Sequence, residues 1–377
     1  MKSRIVLFVL LVPMVATFVA FGSVAEGPLY VWDGSAGDGQ WETVGNWSTT
    51  GASYDHPNQE FGNEYFNQDC ERVVLINGDT ISSSMGLSPD GARDGSTTCL
   101  MTLDNATTLN VGGTMWIADA GGTKGRVDVL GGSTLTATGH IKVGDDDLSV
   151  GTLNIIGSTV DIGDDLIIAN RDGSTGYLNI GGDSVVNVAD RFYMNDGGGS
   201  EPSFSQVVMD SGIVTTGYNC YFNDDASKGT AYFTLNSGTW NSGGTVDVSW
   251  NLDGISHLTI NDGLMTAATE IRLGVSGGGD TGESRVFLNG GKLLGEDLQF
   301  NMTNSQIIFT GGELWINGGA VSEAAMQSFI DTDKIDVSGA PGYSIYTDAG
   351  YTVLVPEPAT VVLLGLGGLS LIRRKRR

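Results

Sequence analysis

The chain has 377 residues, a formal net charge of −25, 57 glycines against 8 prolines, and 3 cysteines. That surplus of carboxylates repels phosphate backbones and anionic lipid, which argues against nucleic-acid partners and peripheral membrane attachment while favouring divalent cations. Because 40% of the residues are hydrophobic and regularly spaced, the glycines read as turns between strands rather than as a sign of disorder.

In chain order the first feature is a leader. Lys2 and Arg4 precede an apolar run from Ile5 to Phe21, and Ser23-Val24-Ala25 supplies the small residues that signal peptidase reads. Residues 1–25 are therefore expected to be a secretory signal peptide, cut between Ala25 and Glu26. Between that cut and Pro356, 12 Lys+Arg face 43 Asp+Glu, a net charge near −31.

Residues 26–96 are expected to form an N-terminal β cap. Trp32, Trp41 and Trp47 read as its core rather than as a sugar platform, and Val73-Val74-Leu75-Ile76 reads as a strand. Cys70, Cys99 and Cys220 are too few for a disulfide framework. A Cys70–Cys99 bridge is open to an exported protein, and Cys220 is expected to be buried.

Residues 97–319 repeat. Two apolar residues flanking one position, a small or polar turn, and a second short alternating strand recur around Met101, Val127, Leu153, Leu178, Val207, Phe233, Leu258, Val286 and Ile307. The intervals run from 21 to 29 residues and average near 26. Between anchors lies a third strand, for example Met115-Trp116-Ile117, His140-Ile141-Lys142-Val143 and Phe192-Tyr193-Met194. A meander of hairpins has no reason to keep this period, whereas one coil of a solenoid has a fixed circumference and loops free to vary. The expectation is an all-β fold, a single-stranded right-handed parallel β-helix of about nine coils, roughly 40 Å long at ~4.8 Å per coil. The repeats and the Asn46-Trp47 leader also resemble autotransporter-type and PEP-CTERM-associated β-helical repeats, which implies surface display or adhesion by analogy.

Open strand edges at the ends of a rod need covers. Over 320–354, Ser322 is a fair N-cap for a helix through Ile330 with Ala325, Met326, Phe329 and Ile330 on one face. Strands at Lys334-Ile335-Asp336-Val337 and Tyr351-Thr352-Val353-Leu354 complete this C-terminal cap.

Residues 355–377, VPEPATVVLLGLGGLSLIRRKRR, join a Pro-Glu-Pro motif to an apolar stretch and five cations. Ala359 to Ile372 would span about 21 Å as a helix against a hydrocarbon core of about 30 Å, and the cations would stay cytoplasmic. A marginal anchor suits a stretch destined for removal. Pro356 and Pro358 exclude helix and leave Glu357 extended. The order of parts resembles the PEP-CTERM sorting signal. That resemblance implies processing at Pro356, Glu357 and Pro358 by an exosortase-like membrane transpeptidase, and delivery to the cell envelope or surface, often alongside exopolysaccharide.

Candidate chemistry is sparse. An acid follows the third strand in nearly every unit, at Asp119, Asp146, Asp172, Asp196, Asp225, Asp253 and Asp280, so a carboxylate ladder with calcium as its one conceivable cofactor is an expectation to test against solvated turns. Neither the EF-hand loop nor the calcium-binding nonapeptide repeat is present. Parallel β-helices also carry polysaccharide lyases and glycosidases, for which Asp161 with Asp164, Asp165 and Lys142 is the nearest approximation. His56, His140 and His257 lack metal-ligand spacing, and no nucleophile elbow or phosphate loop occurs. Thr134, Thr136 and Thr138 alternate as an ice-binding face would, but neighbouring coils do not continue the pattern. The leading expectation is a non-enzymatic structural or adhesive envelope protein whose partners are extracellular polysaccharide or envelope components. The alternative is a carbohydrate-active enzyme on the same rod.

Overall fold

A computed structural model describes strand segments between Leu29 and Leu87, then residues 99–119, 121–197, 201–224, 229–249, 253–274, 282–340 and 342–357. The signal peptide, the tail from Pro358 onward, Trp41 and Cys70 lie outside the described residues.

The strands stack in parallel as a β-solenoid of about eight turns of ~26 residues. Every sequence anchor lands in register: Val127 pairs with Met101 and Leu153, Leu178 with Leu153 and Val207, and Phe233 with Val207 and Leu258. Val286 then joins Leu258 to Ile307, so nine anchors bound eight turns along one ladder. A second ladder aligns strands such as Thr134–Ala137, Thr159–Ile162 and Val185–Val188. A third aligns Met115–Ile117, Ile141–Val143, Leu166–Ile168 and Phe192–Met194. Each coil thus runs strand, turn, strand, turn, strand, loop, with alternate side chains inward.

The inward columns form one continuous core. Val127, Leu135 and Ile141 are fully buried, as are their counterparts in the next coil, Leu153, Val160 and Leu166. Further along, rings fill the interior: Trp240 packs edge-on against Phe192 at 4.9 Å and Phe233 at 4.7 Å. Cys220 is buried there and accepts the Trp240 indole N–H at 3.2 Å. Where the first strand passes closest to the end of the third, the column narrows to glycine. A Cβ on Gly151 would lie 2.2 Å from the Gly144 nitrogen and 2.8 Å from the Ile117 oxygen.

The parallel stacking also continues toward the N-terminus. Leu29–Trp32 and Arg72–Leu75 extend the first ladder, Asp79–Ser82 the second, and Asn63–Phe66 with Met85–Leu87 the third. At this end Trp47–Thr50 covers Leu29–Trp32 in antiparallel fashion. At the other end helix α1, Glu323–Asp331, starts at Ser322, whose Oγ accepts the Ala325 N–H at 3.2 Å. Met326 is buried, with Ala325, Phe329 and Ile330 packed on the core. Ile335 stacks on Ile307, and Tyr351–Pro356 pairs antiparallel with both Glu313–Asn317 and Tyr343–Asp348. Reversing direction ends the parallel growth surface.

Candidate functional site

Two of the rod's corners gather charge. After the third strand seven successive coils turn through a left-handed residue: Ala118, Gly144, Ala169, Asn195, Asn223, Ser249 and Gly274 all have φ between 55° and 77°. After the first five of these comes Asp119, Asp145, Asn170, Asp196 or Asp224, stacked by backbone bonds such as Asp145 N–H to Ala118 O at 3.0 Å and Asp196 N–H to Ala169 O at 3.1 Å, whereas Trp250 and Val275 follow the last two in sequence. An amide at Asn170 therefore interrupts the carboxylate column.

Of the acids singled out in the sequence, Asp119 and Asp196 occupy that column. Asp146 lies one residue beyond it, where the Arg171 guanidinium approaches at 3.5 Å. Asp172 is further round the loop and accepts the Glu201 N–H at 3.3 Å. Asp253 is exposed and outside the corner, and Asp225 and Asp280 lie outside the described residues. Asp119 is pushed up to about 7 by burial, then by its hydrogen bond to Asp145 and the charges of Asp145 and Asp146, with Lys142 pulling the other way. Asp145 also takes an amide hydrogen bond from Asn170 and lies 3.3 Å from the Lys142 ammonium. Asp119 and Asp145 thus form a hydrogen-bonded carboxyl pair with the Lys142 ammonium beside it.

The enzyme-like grouping of Asp161, Asp164, Asp165 and Lys142 does not assemble. Asp161 points outward on the second face, accepting the Asn187 amide at 2.7 Å, and Lys142 reaches Asp145 at the other corner. Asp164 and Asp165 lie between the second and third strands, and there the fold brings in His140, whose spacing in the sequence gives no sign of a ligand set. Ile141 pairs with Leu166, which sets His140 beside Asp165. His140 Nε2 is 3.3 Å from Asp164 and Nδ1 is 3.4 Å from Asp165. Burial raises the Asp165 carboxyl, opposed by the Arg191 N–H bond; Asp164 and Asp190 raise it further and His140 lowers it. A register of 25 residues made this contact findable by stacking third strands, but no short motif contains it.

The first face carries a different feature. Tyr177, Phe204, Tyr232, His257 and Phe287, on consecutive coils, form a half-buried exterior row with ring centroids 6.0, 5.9, 5.2 and 5.3 Å apart.

At the C-terminus, residues 354–377 match the PEP-CTERM protein-sorting motif. The motif implies export, C-terminal membrane anchoring for sorting, and exosortase-type processing. No match emerges among curated proteins, and none among solved structures. Among the described residues no helix is long and apolar enough to cross a membrane; Ala359 to Ile372 lies outside them.

Proposed function

We propose that this protein is a non-catalytic structural or adhesive rod displayed on the outer side of the cell envelope, associating with extracellular polysaccharide through its first face. The observation that carries the reading is the exterior aromatic row from Tyr177 to Phe287 on a body joined to a sorting motif. Rings stepped along the axis at nearly one per coil offer a repeating apolar surface to the CH faces of a sugar chain. Gln206, Thr234 and Thr259 stand on the same outward face for its hydroxyls. The net charge of −25 favours a neutral polysaccharide, or an anionic one bridged by cations.

The test is retention of the purified chain on polysaccharide from its host. At about 1 kcal/mol per ring, the double variant Tyr232→Ala, Phe287→Ala should bind ten- to thirtyfold more weakly with an unchanged circular-dichroism spectrum. Equal retention removes the aromatic face from the account. Release of new reducing ends or unsaturated products during the incubation would replace the rod by an enzyme.

A further inference from the structure

We propose that His140, Asp164 and Asp165 bind one divalent transition-metal ion of the Zn²⁺ class, clamping two adjacent coils together. One ligand atom from each residue can be chosen so that all three lie within 4.8 Å of one another. One ring nitrogen can hold the ion, and each lies one tetrahedral edge from a carboxylate, Nε2 3.3 Å from Asp164 and Nδ1 3.4 Å from Asp165, for metal bonds of ~2.0 to 2.1 Å; the remaining carboxylate completes the set within the same 4.8 Å. All three side chains are partly exposed, leaving the ion a route in and room for water as a further ligand.

Charge supports the assignment. Asp190 stacks one coil beyond Asp164, its N–H bonded to the Asp164 carbonyl at 3.2 Å, and its carboxylate acts on Asp165. The Asp190 Oδ1 atom is buried without a hydrogen-bond donor, and the nearest cation, the Arg191 guanidinium, stands off at 3.6 Å. Asp164, Asp165 and Asp190 with only the Arg191 guanidinium set against them leave a surplus of carboxylates at this corner for a divalent ion to offset.

The ring supports it as well. Each nitrogen of His140 faces its own carboxylate. The Nδ1 atom also accepts the Asp165 backbone N–H at 3.3 Å, which fixes the ring's orientation at this corner. A mixed imidazole and carboxylate set suits Zn²⁺, Mn²⁺, Co²⁺, Ni²⁺ or Cu²⁺ rather than Ca²⁺ or Mg²⁺, which prefer oxygen alone. The two coils are already joined by the Ile141–Leu166 pairing. A metal there would tie side chains from both across a corner where like charges otherwise repel.

The acidic surface will collect divalent ions anywhere, so the experiment must isolate this site. The untagged full chain, stripped by chelation and held in detergent, is equilibrated with Zn²⁺ in about thousandfold excess Ca²⁺, and bound zinc is counted. One Zn²⁺ per chain should survive the calcium and raise the melting midpoint. His140→Gln and Asp165→Asn should each weaken that ion at least tenfold, while Asp161→Asn leaves it unchanged. Cu²⁺ loaded into the unaltered chain should show one imidazole nitrogen in its spin-resonance spectrum, lost in His140→Gln, a reading that does not depend on the variants' stability. Zinc displaced by calcium, or bound equally well by His140→Gln, overturns the site.

Discussion

Asn236, Asn261 and Asn289 show how single residues hold adjacent coils at the surface. Each side-chain amide donates to the coil before it, Asn289 to Asn261 at 2.9 Å, Asn261 to Asn236 at 2.8 Å and Asn236 to Asp210 at 2.7 Å. Such a chain needs an acceptor at one end and a donor at the other, and Asp210 and the Thr310 hydroxyl supply them. Asn179 and Asn154 repeat the arrangement and end on Asp128. Asn261→Asp would place an acceptor against the Asn236 oxygen, and should cost about 1 to 3 kcal/mol in chemical denaturation. At Asp119 the prediction concerns pH. Its carboxyl is held up to about 7 against an ordinary 3.8, so between about pH 4 and pH 7 the folded chain keeps a proton that the unfolded chain has released. Its contribution to stability is complete below that window and lost as pH rises through it. Asp119→Asn keeps a donor toward Asp145 without titrating, so the melting midpoint of the unaltered protein should fall relative to the variant between about pH 4 and pH 7 and level off above it.

Among the elements, the last strand bears most directly on sorting. Within Tyr351–Pro356, Val355 pairs with Ser344, Pro356 with Tyr343, and the Glu357 N–H bonds the Gly342 carbonyl at 3.0 Å. The first residues of the sorting motif are thus zipped into the cap, and a processing enzyme must draw them out as an extended strand. Leu354, fully buried, anchors that strand. Leu354→Ala should loosen it by about 2 to 5 kcal/mol and raise the ratio of processed to unprocessed protein on an immunoblot from the native host. An unchanged ratio would mean that the motif is reached without unzipping. The helix and strands of this cap were legible because Ser322 is an N-cap and Ala325, Met326, Phe329 and Ile330 share a face. The extension of pairing through Pro356 was not, because a proline argues locally against a ladder; it is tolerated as the final residue of a strand.

For the whole molecule, the ends matter as much as the repeat. Glu313–Asn317 is the last parallel rung of the second ladder and is covered by Tyr351–Pro356. A chain ending at residue 319 would expose that rung and α1's site on the core. It should associate through the bare edge, seen as a rise in mass by light scattering, whereas the capped chain stays at its own state of assembly.

The sequence by itself determined the period, the nine anchors, the three strands of each coil and the sorting signal. All are periodic or contiguous, and alternation writes burial directly into neighbouring residues. Only the tertiary structure decided which polar groups meet. His140 and Asp165, Asp119 and Asp145, and Asn261 and Asn236 are 25 or 26 residues apart and touch because the coils stack in register. Loops of unequal length between the anchors change the count from coil to coil, so a carboxylate's place in the column is set by stacking rather than by its distance along the chain.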